Sequence, residues 1–132
     1  MPDINWLAAL AAAVSSFAGG GLWYAPALFG KTWQREAGVT DEQIKTGNPL
    51  KIFGGALVLS IIAAAVFALF LGPKPELGFA TSAGFAAGLC WVAASFGINY
   101  LFERKSLALF LINGGYHTLQ FTLIGLILGA WH

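Results

Sequence analysis

Charge is what this sequence has least of: only 10% of its 132 residues are Asp, Glu, Lys or Arg, against roughly a quarter in an ordinary soluble domain. The apolar runs, each longer than twenty residues, contain none of the four. A water-soluble helix needs a polar face, so these runs exclude a soluble domain and point to lipid as the solvent. Intramembrane carboxylates are missing too, which removes the acid and base pairs that proton-handling or hydrolytic sites use. Cysteine is scarce: Cys90 stands alone inside an apolar run, with no second thiol for a disulfide or a zinc site. Seven basic residues against six acidic give a net charge of +1 with no dense basic tract, so nucleic acid is not expected as a partner.

What is present is hydrocarbon-spanning length. The apolar pattern predicts an all-α membrane protein, one domain over residues 1–132, with spans at about 4–29, 49–71, 77–102 and 107–131. Asp3 and the length of the first run do not fit a cleaved secretory signal, so the first span is expected to be retained. Asn48-Pro49 reads as an N-cap followed by proline in the first helical turn, and Gly72-Pro73-Lys74-Pro75 ends the second span. Pro26 should kink or stop the first helix near Trp23. Between the first two spans, Thr40-Asp41-Glu42-Gln43 has the spacing of a capping box and predicts a short helix ending at Gly47.

Six of the seven basic residues lie in or beside the connections 30–48 and 103–106, against Lys74 alone at the opposite end. The positive-inside rule then puts both connections in the cytoplasm and both termini outside it. Trp23, Tyr24, Trp33 and Tyr100 fit an aromatic belt at the inner boundary, and Trp6 and Trp131 one at the outer. The pattern allows two hairpins of the same orientation, since Ser16-Phe17-Ala18-Gly19 is similar to Ser95-Phe96-Gly97 ahead of each basic connection.

Transmembrane helices associate through small residues that let backbones approach. Such residues recur at four-residue spacing as Ala8, Ala12, Ser16 and Gly20 in the first span, and as Ala56, Ser60, Ala64 and Ala68 in the second. Ala80, Gly84 and Gly88 do the same in the third, and Gly125 and Gly129 in the fourth. They predict a compact four-helix bundle, or contacts between copies.

The one polar constellation is on the fourth span. Asn113, His117 and Gln120 fall within about 60° of one face at 100° per residue, and His117 lies about 15 Å deep, near the bilayer centre. Ser60 sits at a similar level, and Ser95 with Asn99 nearer the cytoplasmic end; together these six residues are the expected polar intramembrane face. An ionisable side chain at that depth marks a functional site by default, because lipid offers it no partner. His117 is open to three roles: polar fastener between helices, proton-linked group, or ligand to a metal or tetrapyrrole, although no second axial ligand accompanies it.

Asn5 to Trp33 (NWLAALAAAVSSFAGGGLWYAPALFGKTW) and Asn99 to His117 (NYLFERKSLALFLINGGYH) resemble the signature stretches of a bacterial and fungal membrane family catalogued as domain of unknown function seventeen sixty-one. The resemblance covers nearly the whole chain. It implies a four-helix membrane architecture, favours a bacterial inner membrane, and brings no activity, substrate, cofactor or functional residue with it. Arg104-Lys105 stand where the family pattern leads one to expect glycine after the glutamate, which leaves the tightness of that turn open. Small multidrug exporters also have four spans, but they need a membrane-embedded glutamate in the first helix, and this chain has none. Tryptophan-rich sensory proteins share a Trp-Tyr near a proline, yet have five spans.

The functional expectation is therefore a non-catalytic integral membrane protein in the lipid bilayer that works through helix packing, as a homo-oligomer or an accessory subunit of a larger membrane complex. The alternative is a small-solute or proton-linked carrier or channel lined by the polar face of the fourth span.

Overall fold

The computed structural model describes residues 3–131. The terminal residues 1–2 and 132, whose side of the membrane was an expectation from charge, lie outside the described residues.

Helix α1 covers Trp6–Trp23 and is capped by Asn5, whose side chain accepts from the backbone N–H of Ala8 at 3.0 Å. It stops short of the expected boundary at residue 29. Pro26 cannot donate to a helical ladder, and residues 24–29 instead form turns in which Leu28 and Gly30 both donate to the carbonyl of Ala25. The chain then enters α2, Gly30–Ala37, which the composition did not signal. Only glycine fits at position 30, because a β-carbon there would fall on the carbonyl oxygen of Tyr24. Gly38, at φ 74°, ends α2 in the left-handed region.

Helix α3, Asp41–Thr46, begins with the full capping box: Thr40 accepts from the Gln43 N–H, and the Gln43 side chain accepts from the Thr40 N–H. Gln34 donates to Asp41 at 2.6 Å and ties α2 to α3. Helix α4, Pro49–Leu71, starts on the Asn48 cap and stops at Gly72, φ 81°.

The third span runs unbroken over Leu77–Glu103, but not as one kind of helix. Its ends, α5 (Leu77–Ala86) and α6 (Ala94–Glu103), flank a π-helical segment, Ala87–Ala93. The final turn closes without glycine: Arg104 itself adopts φ 59°, ψ 38°, and Lys105 donates to the Tyr100 carbonyl at 2.9 Å. Helix α7, Leu107–Ala130, is capped by Ser106. Among the described residues there are thus four helical stretches long and apolar enough to cross a membrane, Trp6–Trp23, Pro49–Leu71, Leu77–Glu103 and Leu107–Ala130.

These stretches pack in the order second, first, fourth, third. The fourth span lies between the first and the third, the second packs along the first, and α2 leans on α7. Packing follows the small residues. Ala8, Ala12 and Ser16 are fully buried, and the two alanines share one core with Ala64, Phe67 and Ala68 from the second span and Ile124 and Leu128 from the fourth. Between the third and fourth spans the backbones touch. A β-carbon at Gly84 would fall on the carbonyl of Phe121, one at Gly125 on the carbonyl of Ala80, and one at Gly88 would lie 2.7 Å from the carbonyl of His117. Gly129 meets the Cα of Leu77 in the same way.

The second and third spans diverge. Their side chains meet at an edge contact between Phe70 and Trp91, with ring centroids 6.4 Å apart, and an apolar groove of about 360 Å³ opens between them.

Candidate functional site

The polar side chains gather where the first, third and fourth spans approach the basic connections, and Asn113 is the junction. Its Oδ1 accepts from the Tyr24 hydroxyl at 2.6 Å, and its Nδ2 donates to the Tyr100 hydroxyl, also at 2.6 Å. One amide on the fourth span therefore holds the exit of the first and the end of the third. Two further bonds join the first and fourth spans: Trp23 Nε1 donates to the Ile112 carbonyl at 2.9 Å, and the Tyr116 hydroxyl to the Ser16 carbonyl at 3.0 Å. Glycines make room for both rings, since Gly20 faces the Tyr116 hydroxyl and Gly115 faces the Trp23 ring. Tyr24 also meets Trp33 and Tyr116 edge-on, at centroid separations of 5.8 and 5.5 Å.

His117 lies one turn deeper, half-buried. Its Nδ1 is 2.7 Å from Oε1 of Gln120, a buried residue on the same helix. With the amide oxygen as acceptor, the neutral ring carries its proton on Nδ1 and leaves Nε2 as a lone pair. The ring stacks on Phe96 of the third span, centroids 5.0 Å apart and planes 11° from parallel, and leans on Tyr116 at 4.9 Å. His117 thus reaches across to the third span by stacking, while its hydrogen bond stays within its own helix.

Ser60, Ser95 and Asn99 do not join this cluster. Ser60 is buried on the face of the second span that packs the first, and donates to the Ala56 carbonyl of its own helix at 2.8 Å. Ser95 is exposed, donating to the Trp91 carbonyl at 2.6 Å, and Asn99 is exposed as well.

The π segment is the reason for the last two. In an unbroken α-helix, Ser95 and Asn99 fall seven and eleven residues beyond Gly88, within about 20° of its face at 100° per residue, and would look at the fourth span. A π turn takes up one extra residue and sets the following face back by about 100°. The row that meets the fourth span is accordingly Ala80, Gly84, Gly88, then Ala93 and Gly97, with a five-residue step across the π segment. Ala93 packs against Gly114, and Gly97 against the ring of Phe110. The same rotation brings Phe96 onto His117 and Tyr100 onto Asn113.

Sequence reasoning missed Trp23, Tyr24, Tyr100 and Tyr116 as partners of the polar face, having assigned three of them to an interfacial belt. The available signal was the need of a buried phenol or indole for an acceptor. Among the described residues no group of three or more His, Cys, Asp or Glu side chains converges as a metal site would.

A family model described as "Protein of unknown function (DUF1761)" matches residues 7–129. No curated protein and no solved structure matches the chain.

Proposed function

The chain belongs to the DUF1761 family, and we propose from its geometry that it is a non-catalytic integral membrane protein that acts through helix packing, assembling with further copies of itself through its third span. One observation carries the reading. The rows that build the bundle turn inward, yet the third span keeps a second row of small residues, Ser82, Ala86, Cys90 and Ala94, and all four are exposed. Small side chains at this spacing admit the backbone of another helix, which is the principal source of association between helices in lipid. In a two-fold pair, each residue of such a row near the crossing point faces its own copy.

Cys90 makes the reading testable without any substitution. Mild oxidation in native membranes is expected to give a disulfide-linked dimer, which requires Cα atoms about 4.4–6.8 Å apart across the interface. Ala86→Phe should abolish the product and shift the mass in mild detergent to that of a monomer. A wild-type chain that stays monomeric in both assays would overturn the homo-oligomer, and a defined assembly containing a second kind of chain would favour the accessory-subunit form. No observation favours the carrier or channel reading, since Asn113, His117 and Gln120 are engaged with Tyr24, Tyr100 and one another.

We place the protein in the cell membrane with residues 30–48 and 103–106 in the cytoplasm. Support comes from the six basic side chains at that end, all exposed. Cysteines introduced at Lys31 and Lys74 test it: an impermeant thiol reagent applied to intact cells should label position 74 and spare 31.

A further inference from the structure

The groove between the second and third spans lies away from the polar cluster. One wall is Ile62, Ala63, Val66 and Phe70 of the second span; Ala87 and Trp91 form the other, and Phe121 of the fourth closes the floor. The lining is almost wholly apolar, and every residue named belongs to a membrane-crossing stretch. At about 360 Å³ it far exceeds the about 10–15 Å³ that admits one water, but a water there would lack the two to four polar partners it requires. Nor do the rims suit a helix. Ile62, Val66 and Phe70 follow one another at four-residue spacing, and with Trp91 opposite they hold any approaching backbone at a distance; Phe70 is 74% and Trp91 63% exposed.

We propose that this groove is a binding site for a single hydrocarbon chain, the acyl tail of a bilayer lipid, held between the second and third spans against Phe121. A chain is slender enough to pass the bulky rims, needs no hydrogen bond, and reaches the groove sideways from the hydrocarbon core. It supplies the apolar contacts that the two diverging helices do not give each other.

Trp91 reports on the site. The protein is delipidated in mild detergent micelles and titrated there with increasing fractions of a phosphatidylcholine brominated on its acyl chains, so that the lipid competes with detergent for the groove. Trp91 emission is taken as the difference between wild type and Trp91→Phe. A held chain gives quenching that saturates at low brominated fraction. Ala63→Phe, which fills the groove from the second-span wall, should raise the half-quenching fraction severalfold while the helical circular dichroism is unchanged. Quenching of wild type merely in proportion to the brominated fraction means bulk lipid only and overturns the proposal. A Trp91 shielded from bromine at every fraction means that protein covers the groove, and overturns it equally. The wild-type titration decides even if Ala63→Phe does not fold.

Discussion

Asn113 joins three spans through two bonds that run in opposite senses, one accepted and one donated. Hydrogen bonds between helices in lipid contribute about 0.6 kcal/mol on average and about 1.7 at most. Asn113→Leu is therefore expected to cost about 1–2 kcal/mol in reversible unfolding from mixed micelles, with Tyr24→Phe and Tyr100→Phe each costing about half as much. If Asn113→Leu unfolds at the wild-type denaturant fraction, the junction contributes nothing. His117 is held differently, by one bond inside its own helix and a stacked ring, and stacked pairs are worth about 0.5–1.5 kcal/mol. His117→Gln should thus cost about 1 kcal/mol and leave the Cys90 cross-link intact. Loss of the cross-link together with a retained fold would show that the ring does more than fasten the third span. From the sequence, the stripe of Asn113, His117 and Gln120 was legible because helical periodicity alone sets it. Its partners were not, since Tyr24 and Tyr100 are as apt for a membrane boundary as for an amide, and only the fold decides which they meet.

At the level of the helices, continuous apolar length made the four spans readable, and cap residues fixed the start of the second span at Asn48 and of the short α3 at Thr40. The π segment was not readable. It has no side-chain signature; the contact of Gly88 with the His117 carbonyl, and the five-residue step to Ala93, exist only once the fourth span is in place. Deleting Leu89 should convert the segment to regular helix and leave α6 facing as it does, because Gly88 and Ala93 then stand four residues apart and Tyr100 still looks at Asn113. Paired cysteines at Ala93 and Gly114, where a β-carbon on Gly114 would lie 3.1 Å from that of Ala93, check this: they should cross-link in the full-length sequence and in the deletion alike, and loss of the link in the deletion would mean that the segment does not hold the extra residue. Glycine offers a second contrast. Gly125 faces the Ala80 carbonyl, whereas Gly21 has nothing within 4 Å of where its β-carbon would be. Gly125→Ala is expected to cost about 1–3 kcal/mol or more by overpacking. Gly21→Ala, relieved of glycine's unfavourable entropy, should be neutral or stabilising by about 0.5–1 kcal/mol. Equal stability of the two variants would mean that the third and fourth spans can part at little cost.

Across the whole molecule, the order second, first, fourth, third has a consequence for how the protein is made. The fastenings of the first span reach to the far end of the chain, Trp23 to Ile112 and Tyr116 to Ser16. A ribosome delivers the spans one by one, and the fourth, one of the two inner members of the arrangement, emerges last. Until then the third span has no packed neighbour and the first has only the second, so the bundle cannot close during synthesis; its parts must wait in the bilayer and find one another afterward. Helices that insert independently and associate later tolerate a broken chain, provided that each piece spans the membrane correctly. The turn at Pro73-Lys74-Pro75, which joins the two spans that diverge, is the natural place for the break. Two polypeptides, 1–73 and 74–132, expressed together should therefore copurify and protect each other from proteolysis, while either made alone should be degraded.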